Sequence, residues 1–280
     1  MSTATAATAA IVVTAPHHDQ QPRAQSLAAQ LSAPLHHPDD ALPAGLSAIL
    51  IVTAERLALQ PVARPGQRLA HNAPVYVDFV AGANAHRRRF GGGRRQAIAR
   101  ACGLRAGNSP TILDACAGLG GDGFALAALG CRVTLCERNP IIAALLADGL
   151  RRAAAHPDTQ AIAARMQLIA MDAKDALGQH HADTAYLDPM FPARRNSAAV
   201  KKPMAALHHL IGPDSDADPL PQLALTAGCR RVVVKRPRHA PTLGDQTPDA
   251  QLHGQSTRFD LYFSTPPTGG DHGGRNVTGR

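Results

Sequence analysis

Asp188-Pro-Met-Phe-Pro192 puts one carboxylate, one aromatic ring and two prolines into a single short stretch. That combination suits work on a planar amine. The exocyclic amino group of a nucleobase delocalises its lone pair into the ring and is a poor nucleophile. Asp188 and a nearby backbone carbonyl can accept its two N–H hydrogens and favour a pyramidal nitrogen. The Phe191 ring offers a face on which a flipped base can stack. Pro189 and Pro192 stiffen the loop and remove competing N–H donors. Transfer of a group to the amine then needs mostly alignment. The plainer reading is a strand ending in Asp-Pro with an apolar turn behind it.

The second motif is Asp114-Ala-Cys-Ala-Gly118-Leu-Gly120-Gly-Asp122-Gly123. Gly118, Gly120 and Gly123 satisfy G-x-G-x-x-G, and Glu137 closes the next apolar run, as in a dinucleotide fingerprint. The loop of S-adenosylmethionine (SAM) enzymes has the same glycines. A dinucleotide lays its pyrophosphate on the helix N-terminus, where Asp122 would repel it. SAM carries a sulfonium and an amino group instead, and Asp114 suits such a cation. Glu137 can hold ribose hydroxyls of either cofactor. The glycines alone favour neither, and they also serve a tight turn.

Cations gather near both motifs. His86-Arg-Arg-Arg-Phe90 runs into Gly91-Gly-Gly93 and Arg94-Arg95, a glycine run that feeds a helix start and leaves N–H groups for phosphate. Arg194, Arg195, Lys201 and Lys202 follow the Asp188 motif, and Lys235-Arg236 close a run of valines. Three of the chain's four Lys (Lys201, Lys202 and Lys235, but not Lys174) lie in this set, and the net charge is +8. Arg87, Arg88, Arg89, Arg94, Arg95, Lys201, Lys202, Lys235 and Arg236 are therefore the candidate contacts to the phosphates of a polyanion, which the resemblance given below makes RNA. A solvated charged face is the bland alternative.

The elements that must position these residues follow from periodicity. Strands are expected over 111–115, 132–136, 166–170, 184–187 and 231–235, and helices over 121–129, 140–155, 201–210 and 220–227. That alternation reads as a parallel α/β sheet with helices on both faces. A closing antiparallel hairpin is expected over 250–264. Upstream, Ala48–Thr53 and Leu57–Gln60 read as a hairpin, and Val75–Val80 alternates as a strand. The expected organisation is a poorly ordered lead-in at 1–45 with one short helix near 24–31. A small α+β unit with the basic segment follows at 46–103, the catalytic domain at 104–264, and a disordered tail at 265–280.

Composition narrows the class. The 280 residues, 45% of them apolar, support a full core and argue against wholesale disorder. No apolar run reaches the roughly 18 residues of a membrane helix. The first cation is Arg23, which argues against a secretory signal and for the cytoplasm. Five Cys without a CxxC pair fit buried thiols, and the His doublets lack metal-ligand spacing, so no metal is expected.

Taken in order, the motifs resemble a known family, the bacterial ribosomal RNA small subunit methyltransferases J, which are 16S rRNA (guanine-N2)-methyltransferases. The resemblance spans about residues 46–265. It rests on Tyr76-Val-Asp-Phe79, His86-Arg-Arg with Phe90-Gly-Gly-Gly-Arg94, Ala117-Gly-Leu-Gly120, Gly130-Cys-Arg-Val133 and Glu137-Arg-Asn-Pro140. It continues through Tyr186-Leu-Asp-Pro-Met-Phe-Pro192, Ala199-Val-Lys-Lys202, Gly212-Pro-Asp214, Val232-Val-Val-Lys-Arg-Pro237 and Arg258-Phe-Asp260. It implies a Rossmann-like class I SAM-dependent methyltransferase sheet, SAM as cofactor, and 16S rRNA or the small ribosomal subunit as partner, with guanine 1516 as target. It also implies SAM contacts at Gly121-Asp122, Glu137-Arg138, Asp172-Ala173 and Asp188. The family usually has a basic residue at Gly121 and two serines at Asp172-Ala173; here the backbone can serve at Gly121, and Asp172 can accept an adenine amino group. The competing readings are another DNA or RNA amino-methyltransferase, an NAD-dependent oxidoreductase and a catalytically silent rRNA-binding factor.

Overall fold

Ile112, Leu113 and Asp114 are all buried and form a three-residue strand, β4 (Ile112–Asp114), that opens directly into the glycine loop and helix α4 (Gly121–Ala128). This is a computed structural model describing residues 11–62, 73–190, 214–244 and 246–264. These residues divide into two compact units.

The first unit holds the described residues up to Val77, together with Met190. Strand β1 (Ile11–Thr14) runs parallel to β2 (Ala48–Val52), and β2 pairs antiparallel with β3 (Leu57–Pro61). Ala48, Leu50 and Val52 alternate into the core, as a half-buried strand requires. Thr53 makes the hairpin turn by accepting the Arg56 N–H at its Oγ1, 3.2 Å away. Helix α1 (Gln21–Gln30) has Pro22 in its first turn and buries Ala24 and Ala28. The short helix expected near 24–31 is thus present, but the stretch expected to be loose also holds a strand. Its pairing partner lies far along the chain, beyond the reach of a local pattern. Val75 makes only an isolated bridge to Leu59 where a full strand was expected.

The second unit starts at Asp78, so the basic segment belongs with the catalytic sheet and not with the small unit. It begins with α2 (Gly82–Phe90) and α3 (Ala97–Ala101). After α4 come β5 (Val133–Cys136), α5 (Pro140–Ala155), α6 (Gln160–Ala163), β6 (Met166–Ile169), α7 (Ala173–Gln179) and β7 (Thr184–Leu187). The chain ends with α8 (Leu220–Thr226), β8 (Arg231–Pro237), β9 (Ala250–His253) and β10 (Thr257–Phe263). The seven-stranded sheet has the order β6-β5-β4-β7-β8-β10-β9. The first five strands are parallel, and β10 turns antiparallel against β8 and β9. Successive strands leave β4 in opposite directions, toward β5 on one side and β7 on the other. That switch point opens a crevice at the carboxyl ends of β4 and β7.

Helices α2 to α6 form one packed group and α7 with α8 another. Asn139 caps α5 by accepting from the N–H groups of Ile141 and Ile142, with Pro140 at its first position. Phe79 and Phe124 stack at 4.5 Å with nearly parallel rings, both out of water. Each such ring contributes about 2–3 kcal/mol by burial. On β10, Arg258 and Asp260 share a face and form a buried two-point pair at 2.7 and 2.8 Å. The expected helix at 201–210 and the tail at 265–280 lie outside the described residues.

Candidate active site

The glycine loop is held from three sides. Gly120, with φ +75°, caps α4, and a Cβ there would stand 2.6 Å from Leu146 Cδ1 and 3.1 Å from Phe79 Cζ. Gly123 brings α4 against the sheet; a Cβ there would lie 2.4 Å from Leu135 Cδ2. Gly118, with φ +53°, has no atom within 4 Å of its missing Cβ, so the space beside its α-carbon is open. These are the separate duties of a tight turn, close helix packing and backbone access to a ligand.

Glu137 pins this loop. Its Oε2 accepts the Gly118 N–H at 2.9 Å and its Oε1 the Asn139 N–H at 2.7 Å. Burial pushes its carboxyl above the ordinary value, against those two donors. The side chain is therefore part of the loop's architecture. Glu137→Ala is expected to lower SAM affinity by about 1–3 kcal/mol and to lower folding stability by a similar amount. Calorimetry and thermal melting check both; an unchanged SAM affinity removes Glu137 from the site.

Beside the loop lies a chain of charges. Asp122 Oδ1 accepts from Arg87 at 2.6 Å. Its Oδ2 accepts from the Tyr186 hydroxyl at 2.6 Å and from Lys235 Nζ at 2.8 Å. The same Nζ donates to Asp188 Oδ2 at 2.7 Å. One ammonium thus bridges the carboxylate at the start of α4 and the carboxylate at the end of β7. Burial alone would raise the Asp122 carboxyl, but Lys235 and then Arg87 outweigh it and hold it well below the usual carboxylate range. Burial would lower the Lys235 ammonium, yet Asp188 and Asp122 hold it above its ordinary value. Asp188 remains raised, with burial opposed by Lys235. Asp114 is fully buried and also raised, by burial and then by the charges of Asp122 and Asp188. Among the described residues no donor reaches its Oδ1.

A second cluster sits at the ends of β5 and β6. Arg138 binds Asp216 at 3.0 Å, Asp172 at 3.5 Å and Asp214, and Lys174 binds Asp216 at 2.9 Å. Asp172 also caps α7 by accepting the Lys174 N–H at 2.9 Å, so both its oxygens have donors within the chain. Ala173 is the first residue of that helix. Gly121 opens α4, with Asn84 Oδ1 3.4 Å from where its Cβ would be.

Several expected site residues are placed differently from their sequence reading. Lys235 is not a free phosphate ligand; it is committed to Asp122 and Asp188. Arg236 is 5% exposed and donates to the Pro241 carbonyl, so burial takes it off the phosphate-binding surface. Arg87 turns inward to Asp122 and Gln96. Arg88 and Arg89 both reach Asp158. Arg94 donates to Ser109 Oγ and to the Arg105 and Leu129 carbonyls. Arg89, Arg94 and Arg95 keep exposed surface. Pro189 is buried behind Asp188. Phe191, Arg194, Arg195, Lys201 and Lys202 lie outside the described residues. Tyr186 and Lys174 escaped the sequence reading. Tyr186 was detectable, since on β7 it shares a sheet face with Asp188, two residues on.

Asp122 also changes one argument. Lys235 and Arg87 neutralise its charge, so it offers little repulsion to a pyrophosphate. The choice between dinucleotide and SAM therefore rests on the rest of the molecule. Here the residues fit SAM. Gly118 leaves open space beside its α-carbon, Glu137 retains lone pairs for hydroxyls, and the buried Asp114 Oδ1 has no donor among the described residues. Among the described residues no cluster of His, Cys, Asp or Glu is arranged to hold a metal, and no helix is long and apolar enough to cross a membrane.

Comparison with known proteins points the same way. A family described as "Putative SAM-dependent methyltransferase" matches residues 40–264. The ribosomal RNA small subunit methyltransferase J of Aeromonas salmonicida is 50% identical over 216 residues, 76% of this chain and 85% of its own. That of Cellvibrio japonicus is 46% identical over 256 residues, 87% of this chain and 94% of its own. A crystal structure of a SAM-dependent methyltransferase from Neisseria gonorrhoeae is 35% identical and superposes with a TM-score of 0.67. That match covers 94% of this chain and all of the other. The chain therefore belongs to the ribosomal RNA small subunit methyltransferase J family of SAM-dependent methyltransferases.

Proposed function

We propose that this protein transfers a methyl group from SAM to the exocyclic N2 of a guanine in the 16S rRNA of the small ribosomal subunit, with guanine 1516 as the target. The observation that carries the chemistry is Asp188, at the carboxyl end of β7 beside the glycine loop, with Oδ2 held at 2.7 Å by Lys235.

SAM, when bound, supplies an electrophilic methyl group on a sulfonium sulfur. The chain's own residues do the rest. Glu137 and the Gly118 backbone would hold the ribose side of the cofactor, with Asp114, Gly120, Gly121, Asp122, Arg138, Asp172 and Ala173 forming or supporting the pocket. Asp188 keeps Oδ1 for an N–H of the guanine amine while Lys235 fixes Oδ2, so the carboxylate cannot swing. Pro189, buried and without an N–H, offers no competing donor. Phe191 would stack on the target base. As the amine gains its methyl, positive charge grows on nitrogen, and the neighbouring carboxylate stabilises it and can take the proton it sheds.

The direct test is a strain lacking this protein. Its 16S rRNA is expected to lose one N2-methylguanine, restored by the wild-type chain and not by Asp188→Asn. An unchanged methylation pattern would leave another nucleic-acid amine as substrate. RNA association is expected to weaken steeply with salt. Arg95→Glu should raise the KM for RNA several-fold and leave SAM affinity alone, because Arg95 is exposed. A salt-independent RNA affinity would reduce the +8 charge to a solubility feature. An enzyme acting on ribosomal RNA in bacteria works in the cytoplasm.

A further inference from the structure

Phe90 is the most exposed large apolar side chain among the described residues, at 72%. It ends α2, one turn beyond Arg87, whose guanidinium binds Asp122 beside the crevice. At about 1.5 Å rise per residue, the two Cα atoms are roughly 4.5 Å apart along the axis. The His86 ring lies 5.0 Å from the Phe90 ring, tilted by 45°, and supports one side of it. The chain must then turn away. A Cβ at residue 91 would sit 2.3 Å from the Arg87 carbonyl, and Gly92 and Gly93 have φ of +84° and +57°. This turn stops the following residues from covering the ring. Arg94 and Arg95 follow within five residues and keep exposed surface, and the neighbouring Arg89, ion-paired to Asp158 at 3.4 Å, is 59% exposed. A bare aromatic ring with exposed cations close to it along the chain matches the chemistry of an unpaired nucleotide: a base to stack and phosphates to neutralise. A protein partner would be favoured by a broader apolar surface, and among the described residues Phe90 is the one exposed large apolar side chain between Tyr76 and Leu223 in the chain.

We propose that Phe90 is a stacking platform for an unpaired RNA base, a second base-binding subsite outside the Asp188 crevice, with Arg89 and Arg95 serving the adjoining phosphates. The proposal rests on the reading of the chain as an RNA methyltransferase.

The chain has no Trp, so Phe90→Trp creates a single indole reporter in the full-length protein. Single-stranded oligoadenylate of about 12 nucleotides should quench its fluorescence. Inorganic polyphosphate, which has the charge without the bases, should bind without quenching. Phe90→Ala should weaken oligoadenylate binding about 5- to 100-fold with an unchanged salt slope, whereas Arg95→Gln should lower that slope by about one. Wild-type affinity in Phe90→Ala, or equal quenching by polyphosphate, overturns the subsite. Methylation of 16S rRNA is measured in parallel. Quenching without methylation by the wild type sinks the methyl-transfer reading and leaves the subsite standing. Methylation without quenching sinks the subsite alone.

Discussion

Asp188→Asn is expected to lower kcat for rRNA methylation by about 10²-fold or more, with RNA binding nearly intact and SAM affinity modestly reduced. The substitution keeps the volume and one acceptor oxygen. In the proposed mechanism it fails because two donors converge on this side chain, Lys235 Nζ, which stands at 2.7 Å, and the substrate amine. If the Asn oxygen faces Lys235, its NH₂ faces the amine's N–H groups. If the oxygen faces the amine, the NH₂ faces the ammonium. Either orientation sets donor against donor. The loss is greatest in the transition state, when the amine becomes cationic and the missing negative charge counts most. Single-turnover kinetics with saturating SAM read the chemical step; a wild-type rate would return the Asp-Pro-Met-Phe-Pro segment to a structural turn.

Lys235→Met is expected to cost about as much in rate and, unlike a purely structural lesion, to move the pH profile. In the proposed mechanism transfer needs Asp188 ionised. Burial raises its carboxyl and Lys235 is the main opposing influence. Asp122 from α4 pushes the other way, Arg236 on β8 helps Lys235, and Asp114, Tyr186 and Cys116 also face the group. Without the ammonium, Asp122 and Asp188 repel each other and Asp188 rises further. The acidic limb of kcat against pH should therefore move to higher pH. Lys235→Arg keeps the charge and should recover the limb better than the rate, because a planar guanidinium does not reproduce a point donor shared by two carboxylates. An acidic limb at the wild-type position in Lys235→Met would show that Lys235 does not tune Asp188. Stability should fall by about 1–3 kcal/mol, less than for a fully buried pair, since these side chains keep 17–35% of their surface.

Much of the sheet was legible because its determinants are local. Strand β7 and helix α5 lie where periodicity and caps put them, at 184–187 and 140–155. Glycine, proline and Asn139 punctuate the chain where positive φ, a fixed φ or an unsatisfied N–H demands them. Helix α7 was missed. It is seven residues long with only Ala176 and Leu177 buried, too few to set a helical period.

The chemistry of the Asp-Pro-Met-Phe-Pro and glycine-loop segments, the α/β alternation and the excess of positive charge are properties of neighbouring residues, and the order of amino acids alone determines them. Which cations meet RNA and which serve the site is different. Lys235 lies 113 residues from Asp122 and 47 from Asp188, and in the sequence it looks like any other member of a basic run. The parallel sheet brings the end of β8 beside the end of β7 and under the start of α4, where a half-buried ammonium needs anionic partners and finds two. Likewise β1 pairs with β2 across 37 residues, from Ile11 to Ala48, a contact no local pattern encodes. Charge in a sequence has a sign but no neighbour; only folding decides whether water, a phosphate or a carboxylate balances it.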